Sequence, residues 1–361
     1  MKDLRNIASR FNIQGNVSDI RPLGNGLIND TFLVSTMEPD SPDYVLQRIN
    51  HHIFQDVALL QDNIEKVTRH IRGKLQAAGE DDIDRKVMTF ITTQDGKTYH
   101  FDSESYWRMS LFIPRTQTIN VVNESTAMSA GLAFGHFEAM LADMPEKLGE
   151  PIPHFHDIEL RVKQLEDAIH DNKVGRLSQV KDMCQNILEV SPSMSAATEW
   201  LRSGFLPTRI CHCDPKVNNI LFNEQGEVLC VIDLDTVMPS HIYSDYGDFL
   251  RTAANFTAED DADLSKVGFN MQIFKAFTQG YLQSTQSFLT DAEIAKMPYG
   301  AALFPYMQCV RFLADYLNGD TYYKTAYPEH NLVRAKNQLK LYQDVEAHAD
   351  EMNGFIEEFL P

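Results

Sequence analysis

The chain has 361 residues, of which 43% are hydrophobic and 23% are charged, a composition typical of a globular protein in water. The length exceeds what a single hydrophobic core usually serves and predicts two lobes or domains. The formal net charge of −19 argues against nucleic acid and anionic membranes as partners, because phosphate-rich surfaces select basic proteins. A small phosphorylated ligand stays open, since local cations or a metal can overcome the overall field.

The start of the chain and its cysteines predict the compartment. MKDLRNIASRFNI lacks the apolar core and cleavage site of a secretory signal, and no uncharged run reaches the length of a membrane span. An odd, scattered set of cysteines predicts reduced, buried thiols in a cytoplasmic protein. These are Cys184, Cys211, Cys213, Cys230 and Cys309. A zinc site around Cys211 and Cys213 is disfavoured, because no second ligand pair at a suitable spacing follows.

The first third of the chain predicts strands and one helix. IRPLGNGLINDTFLVST has two apolar stretches around a glycine turn, and DYVLQRI alternates with period two. DVALLQDNIEKVTRHIRGKL carries a helical apolar stripe. KVMTFITT and KTYHF flank the turn QDG as a hairpin, and YWRMSLFI is a further strand. We expect a small antiparallel sheet with one helix in residues 1–114.

From about residue 116 the pattern changes to helices. ESTAMSAGLAFGHFEAMLADM, NMQIFKAFTQGYLQSTQ and the long segment after residue 302 are the clearest of them. A strand-rich part, 1–114, and a mainly helical part, 115–361, predict an α+β fold of two unlike lobes. IPRTQT is the predicted connector, and one hairpin interrupts the helices.

That hairpin lies in ICHCDPKVNNILFNEQGEVLCVIDLD, residues 210–235, and has polar residues at both ends. NILF and EVLCVI are the predicted strands, with NEQG as the turn. An antiparallel return brings Asn219 close to Asp233, and their oxygens suit a hard cation such as Mg²⁺. Asp214, just upstream, lies where it can act on a substrate. Turn formation alone explains one or two of these residues, not an ordered set at both ends.

The segment HCDPKVNN resembles the catalytic loop of protein kinases and their relatives. The resemblance implies that Asp214 deprotonates the accepting hydroxyl, while Asn219 and Asp233 hold Mg²⁺. It also implies that Lys216 offsets charge on the transferring phosphoryl group. We expect His212 to support the loop through hydrogen bonds. The nearby Asp248 is expected to brace the loop backbone.

A kinase-like fold implies nucleotide contacts in the N-terminal lobe. LGNGLIND would cover the phosphates, with Gly24 and Gly26 leaving room for close backbone approach. The strand lysine of protein kinases is absent, because DYVLQRI places Gln47 there and turns Arg48 to the opposite face. Glu65 is the matching helix glutamate. The complete set of expected nucleotide contacts is Gly24, Gly26, Gln47, Phe112 and Ile113.

The segment after the hairpin favours a small-molecule acceptor, since DLD replaces DFG and no APE follows. HCDPKVNNIL with VIDLD resembles the aminoglycoside phosphotransferase and choline kinase superfamily. Within it, LGNGLINDTFLV, YVLQRIN, IPHFHD, RFLADYLNGDTYY and YPEHNLVR are similar to bacterial N-acetylhexosamine 1-kinases. That resemblance implies transfer from ATP to the anomeric hydroxyl of N-acetylglucosamine or N-acetylgalactosamine. It also implies Asp214, Arg311 and Asp315 as sugar contacts.

Other interpretations stay open beside a monomeric sugar kinase that uses ATP and Mg²⁺. The acceptor could be another small alcohol, such as choline or an aminoglycoside, since a cation suits the negative net charge. The missing lysine makes a catalytically silent nucleotide-binding protein conceivable. VIDLDTV also fits the DxD motif of haloacid-dehalogenase-type phosphatases, but that reading leaves HCDPKVNN unexplained. Arg311 and Asp315 could instead be a surface helix pair, and His154 and His156 structural loop residues.

Overall fold

The computed structural model describes residues 3–24 and 28–360. Within these ranges the strands are β1 (Val17–Pro22), β2 (Asp30–Thr36), β3 (Tyr44–Ile49), β4 (His100–Phe101), β5 (Tyr106–Leu111), β6 (Thr116–Gln117), β7 (Arg209–Cys211), β8 (Ile220–Asn223), β9 (Val228–Val231) and β10 (Met238–Ser240). The helices are α1 (Leu4–Ala8), α2 (Val57–Ala77), α3 (Ile83–Lys86), α4 (Glu124–Leu141), α5 (Ile158–Asp171), α6 (Leu177–Met194), α7 (Ala196–Ser203), α8 (Tyr243–Ala253), α9 (Met271–Thr285), α10 (Asp291–Ala295), α11 (Met297–Asn318), α12 (His330–Ala347) and α13 (Ala349–Glu357). None of the described helices is both long and apolar enough to cross a membrane.

The chain divides into two compact units. The first comprises Met1–Ile119, Asp143–Pro153 and Asn218–Met238, and the second comprises Asn120–Ala142, His154–Val217 and Pro239–Pro361. The first unit holds an antiparallel sheet and the second is mainly helical, which confirms the predicted α+β fold class. The functional division into a nucleotide-binding part, 1–114, and a catalytic part, 115–361, stays a prediction.

The sheet of the first unit has five strands in the order β1-β2-β3-β5-β4. Its register places Gln47 on β3 opposite Thr31 on β2 and opposite Arg108 on β5. One face packs on an apolar cluster that includes Phe11 and Trp107. The alternation of DYVLQRI is confirmed, because Gln47 is half-buried while Arg48 is exposed.

Helix α2 is also confirmed, but the hairpin predicted around QDG is wrong in one arm. The five apolar positions of α2 from Val57 to Ile71 are buried as its stripe predicts. Residues 87–93 form no regular strand. This segment lies beside β5, next to the short strand β4. The N–H of Ile91 bonds to the carbonyl of Met109, and the N–H of Leu111 bonds to the carbonyl of Thr89. A strand pattern alone does not identify the partner strand, and here the partner is β5.

Helices α4 and α9 of the second unit approach each other closely at glycines. A Cβ atom on Gly131 would lie 2.2 Å from the carbonyl oxygen of Phe277, and one on Gly280 would lie 2.2 Å from that of Met128. Gly135 is similarly close, at 2.8 Å from the oxygen of Tyr281. Only glycine allows the two backbones to come this near.

A buried carboxyl pair lies beside this crossing. Glu138 on α4 is 2% exposed and Asp245 on α8 is 0% exposed, and their oxygens and the Cys211 sulfur lie within 4.8 Å of one another. Burial, and next the charge of Asp245, raise the pKa of Glu138 well above its ordinary value. Glu138 Oε2 accepts a hydrogen bond from the Tyr281 hydroxyl at 2.5 Å. Among the described residues Glu138 Oε1 has no hydrogen-bond partner.

We expect Gly131→Ala to lower the free energy of unfolding by about 3 kcal/mol, because the added methyl group would meet a helix backbone that cannot yield. Gly354→Ala in α13 is the matched control, since nothing lies within 4 Å of its Cβ position; it should stabilise by up to about 1 kcal/mol. Urea unfolding followed by circular dichroism measures both. Equal stability of the two variants would contradict the close crossing.

Glu138→Gln should change how stability depends on pH. The pKa of Glu138 is higher in the folded state than in the unfolded state. At a pH between these two pKa values, folding takes up a proton, so the free energy of unfolding falls as the pH rises through this range. The glutamine needs no proton. The wild type should therefore lose about 1.4 kcal/mol per pH unit relative to the variant from about pH 5 upward. Parallel unfolding free energies from about pH 5 to 8 would show that Glu138 is not protonated.

Candidate active site

The loop that follows β7 is fixed by one aspartate of the second unit. The carboxylate of Asp245 accepts the backbone N–H of His212 at 2.7 Å and that of Cys213 at 2.6 Å. Cys213 has φ +62°, a left-handed backbone conformation that costs a residue other than glycine about 1–2 kcal/mol. Two charge-assisted bonds to a buried carboxylate offset this strain. The loop is therefore held in one conformation just before Asp214.

The structure gives this brace to Asp245 and not to Asp248. Asp248 instead bonds to Arg251 at 2.7 Å, and Arg251 also reaches Glu259 at 3.0 Å. Burial opposes ionisation of Asp248, but the positive charge of Arg251 outweighs it and lowers the pKa of Asp248. The expected role of Asp248 was wrong because both aspartates lie in SDYGDFLR, and their spacing does not show which one faces the loop.

His212 supports the loop as expected. It is 0% exposed and lies edge-on to the rings of Phe134 and Phe137. Its Nδ1 accepts the backbone N–H of Asp214 at 3.3 Å. A histidine enclosed in this way orients the backbone before Asp214.

Asp214 and Lys216 form an ion pair on this loop. Lys216 Nζ lies 2.6 Å from Asp214 Oδ1, with the two side chains 45% and 24% exposed. Burial disfavours the charged lysine, but the charge and hydrogen bond of Asp214 outweigh this and raise the pKa of Lys216. A carboxylate and an ammonium are thus held together within reach of a ligand from solvent. Their catalytic roles stay predictions.

The predicted hairpin is present in the first unit. Strands β8 and β9 pair antiparallel with Ile220 opposite Val231, and the turn ends at Gly226, which has φ +81°. At the open end Ile232 N–H bonds to the carbonyl of Asn219 at 2.9 Å, so the backbone of Asn219 lies beside the residue that precedes Asp233.

The residues at this end of the hairpin fit a hard cation. Asn219 is 8% exposed, whereas Asp233 is exposed and has φ +62°, a conformation that aspartate tolerates better than most residues. An amide oxygen and a carboxylate oxygen on neighbouring backbone segments are donors that Mg²⁺ prefers. Metal binding by Asn219 and Asp233 stays a prediction.

A buried network follows Asp233 in the first unit. Asp235 is 3% exposed; its Oδ1 pairs with Arg108 Nη1, and its Oδ2 accepts Asn29 Nδ2 at 2.7 Å. Arg108 Nε also donates to Gln47 Oε1 at 2.9 Å. Sequence patterns missed Arg108 and Asn29, since only the strand register reveals them. A buried, ion-paired Asp235 at the end of an antiparallel hairpin does not fit the general acid of a haloacid-dehalogenase-type phosphatase.

The other expected nucleotide contacts have these positions. Gln47 Nε2 bonds to Thr31 Oγ1 at 3.2 Å, and Gly24 has φ +71° with open space at its Cβ position. Gly26 lies outside the described residues. Phe112 N–H bonds to the Asp43 carbonyl at 2.9 Å, and Ile113 is buried. Glu65 accepts a hydrogen bond from the Thr98 hydroxyl at 2.5 Å, so a hydroxyl and not a lysine is its recorded partner among the described residues.

Arg311 lies on α11 in the second unit, against two aromatic rings. Its guanidinium carbon is 5.7 Å from the ring centre of Phe155 and 5.7 Å from that of Tyr323. It lines a groove of about 310 Å³ together with Arg161, Tyr322 and Tyr323. Burial, and next the charge of Arg311, lower the pKa of Arg161. Among the described residues neither arginine has a carboxylate within 4.0 Å.

Asp315 is occupied by the loop that follows α11. Its carboxylate accepts the backbone N–H groups of Thr321, Tyr322 and Tyr323 at 2.9, 2.9 and 3.0 Å and the Asn331 amide at 2.9 Å. The surface pair of Arg311 with Asp315 is not formed among the described contacts. These bonds show that Asp315 shapes one wall of the groove.

His154 and His156 have structural surroundings. His154 is exposed and pairs with Asp157, whose side chain caps the start of α5. His156 is stacked on Phe155 with ring centres 4.4 Å apart. Burial lowers the pKa of His156 to about 3, so the ring is neutral.

All five cysteines are free and buried, as expected.

Known structures share this fold at low sequence identity. An aminoglycoside phosphotransferase from Alicyclobacillus acidocaldarius has 13% identity and a TM-score of 0.61 over 97% of this chain and 95% of its own. Amicoumacin kinase hAmiN, solved with AMP-PNP, Ca²⁺ and Ami, has 16% identity and a TM-score of 0.58 over 99% and 94%. Choline kinase from Cryptosporidium parvum has 14% identity and a TM-score of 0.58 over 98% and 99%.

A family comparison goes further than these likenesses of fold. The profile of the phosphotransferase enzyme family matches residues 19–277, from the first strand through the loop after β7 and the hairpin to α9. That range covers well over half of the chain and includes Asp214, Asn219 and Asp233. The protein therefore belongs to the phosphotransferase enzyme family.

Proposed function

We propose that the protein is an ATP- and Mg²⁺-dependent kinase that phosphorylates the anomeric hydroxyl of N-acetylglucosamine or N-acetylgalactosamine. The observation that carries this proposal is the ion pair of Asp214 with Lys216 on a loop whose backbone Asp245 holds. Family membership supports phosphoryl transfer. AMP-PNP and ADP in structures of similar fold support a nucleotide donor.

Asp214 is the proposed general base. Its carboxylate accepts the proton of the sugar hydroxyl while the sugar oxygen forms a bond to the γ-phosphorus and the bond to the β,γ-bridging oxygen breaks. Lys216, which lies 2.6 Å from Asp214, is near enough to offset charge on the transferring group. This chemistry depends on positioning and charge more than on covalent steps, so a rigid loop serves it well.

Asn219 and Asp233 would hold the metal ion. When bound, Mg²⁺ supplies charge neutralisation at the phosphate oxygens. The protein's part is to present one amide and one carboxylate oxygen from neighbouring backbone segments and to leave the remaining positions to water and phosphate.

The groove beside α11 is the proposed acceptor site. Its arginines, Arg161 and Arg311, have no carboxylate partner among the described residues and favour a ligand rich in hydrogen-bond acceptors, as a sugar with an acetamide group is. Tyr322 and Tyr323 offer aromatic faces to a sugar ring. Asp315, the predicted sugar contact, lines the same groove and also positions these tyrosines through their backbone N–H groups.

A kinase of another small alcohol is the second candidate. The net charge of −19 favours a cationic acceptor, and choline and aminoglycoside kinases share the fold. The two arginines in the groove count against it, because they repel a quaternary or primary ammonium group. The cytoplasmic location and the monomeric state stay predictions from the sequence.

A panel of acceptors tests the proposal directly. We expect ADP release from ATP with Mg²⁺ when N-acetylglucosamine or N-acetylgalactosamine is present, and an acid-labile sugar 1-phosphate as product. Choline, kanamycin and glucose serve as comparison acceptors. Turnover with choline or kanamycin but not with the N-acetylhexosamines would show that the acceptor is another small alcohol. ATP binding without turnover of any acceptor would favour a catalytically silent nucleotide-binding protein.

Asp214→Asn should lower kcat by about 10²- to 10⁴-fold, because the amide cannot accept the proton. Binding of ATP, measured by calorimetry, should stay within about threefold of the wild type, since the substitution keeps the shape of the loop. Asp263→Asn is the matched control, because Asp263 forms a similar exposed pair with Lys266 at 3.0 Å. Equal loss of turnover and of ATP binding would assign Asp214 a structural or metal-binding role.

A further inference from the structure

The strand position at which protein kinases carry a phosphate-binding lysine is neutral in this chain, yet a cation lies directly across from it. Gln47 on β3 is paired in register with Arg108 on β5. Arg108 is 2% exposed, and no other lysine or arginine of the described residues is buried to this degree. The positive charge that protein kinases carry on this strand thus lies on the neighbouring strand β5 in this chain.

A buried guanidinium needs compensation, and among the described residues Arg108 has two hydrogen-bonding partners, besides the Phe90 ring, whose centre lies 5.7 Å from the guanidinium carbon. Nη1 pairs with Asp235, whose side chain is 5% exposed, and Nε donates to Gln47 at 2.9 Å. Among residues 3–24 and 28–360, Nη2 has no hydrogen-bond partner. Two anchors fix the plane of the guanidinium and leave charged N–H groups for another acceptor.

The anchors belong to the segments that a nucleotide-binding site would use. Asp235 follows the proposed metal ligand Asp233 by two residues. Asp235 Oδ2 accepts a hydrogen bond from the side-chain amide of Asn29, the last residue of the glycine-containing stretch before β2. Asn29 Oδ1 in turn accepts the backbone N–H of Asn50 at 2.9 Å. A purely structural core gains little from such a pair, because apolar side chains of similar volume often serve as well.

We propose that Arg108 binds the polyphosphate of the nucleotide and supplies the positive charge that a strand lysine supplies in protein kinases. The inference rests on the proposed function, since it requires that the protein binds ATP. Gln47 and Asp235 are positioning residues that hold the guanidinium. An anionic phosphate oxygen would accept from Arg108 Nη2, which has no partner in the described part of the chain.

The test compares two ligands that differ in phosphate. Calorimetry of the full chain with Mg²⁺ measures the dissociation constants of AMP-PNP and of adenosine. In Arg108→Gln/Asp235→Asn and in Arg108→Met/Asp235→Leu, the constant for AMP-PNP should rise about 30-fold, the loss of one charge-assisted contact. The constant for adenosine should stay within about threefold, because adenosine lacks phosphate.

Two further variants make the outcome decisive. Arg48→Gln/Asp30→Asn removes an ion pair between β3 and β2, on the other face of the same sheet, where the side chains are 48% and 50% exposed, and should change neither constant. Arg108→Lys keeps the charge and the pairing with Asp235, so it serves if the double variants do not fold. A single ammonium cannot replace all guanidinium contacts, so the ratio of the two constants should still rise, by about tenfold.

An unchanged ratio in a folded double variant, or in Arg108→Lys when neither double variant folds, would overturn the inference. Parallel weakening of adenosine and AMP-PNP would overturn it too, because it marks a structural role. The proposed function fails separately: in that case the wild type itself binds no AMP-PNP.

Discussion

The antiparallel return of one short hairpin is the constraint on which this account depends. The hydrogen bond from Ile232 N–H to the Asn219 carbonyl closes its open end and brings residues fourteen apart in sequence onto neighbouring backbone segments. Without this hydrogen bond, Asn219 and Asp233 would not be placed to bind the same metal ion. The same segment continues to Asp235, whose buried pairing with Arg108 ties the end of the hairpin to the five-stranded sheet. The proposed metal site and the proposed phosphate contact in the first unit thus depend on the same strand register.

A second constraint acts within the helical unit, where buried charge holds a strained loop. Asp245 fixes the amides of His212 and Cys213, and burial together with the charge of Asp245 raises the pKa of the neighbouring Glu138. The close crossing of α4 and α9 at glycines brings Glu138 and Tyr281 to that position. Polar groups this deep in a core are costly unless each is satisfied. Their cost is explained if Asp214 has to be presented in one orientation.

Sequence patterns predicted what depends on neighbours along the chain. The apolar stripe of α2, the alternation of β3 and the hairpin of β8 and β9 each follow from local spacing, and all are present. The failures lie where a distant partner decides. Residues 87–93 pair irregularly with β5, Asp245 replaces Asp248 as the brace, and Arg108 gains meaning only opposite Gln47. Asp315 illustrates the same limit, because its three backbone hydrogen bonds to the following loop and its bond to Asn331 on α12 cannot be deduced from a spacing of four after Arg311.

Binding of Mn²⁺ in the presence of AMP-PNP, followed by electron paramagnetic resonance, tests the central claim most directly. The wild type should bind Mn²⁺, and Asn219→Ala and Asp233→Ala should each weaken binding by at least about tenfold, because each removes one oxygen ligand. Glu224→Ala removes a carboxylate from the turn at the other end of the hairpin and should have no effect. Equal Mn²⁺ affinity in all four proteins would show that the closed end of the hairpin does not hold the metal.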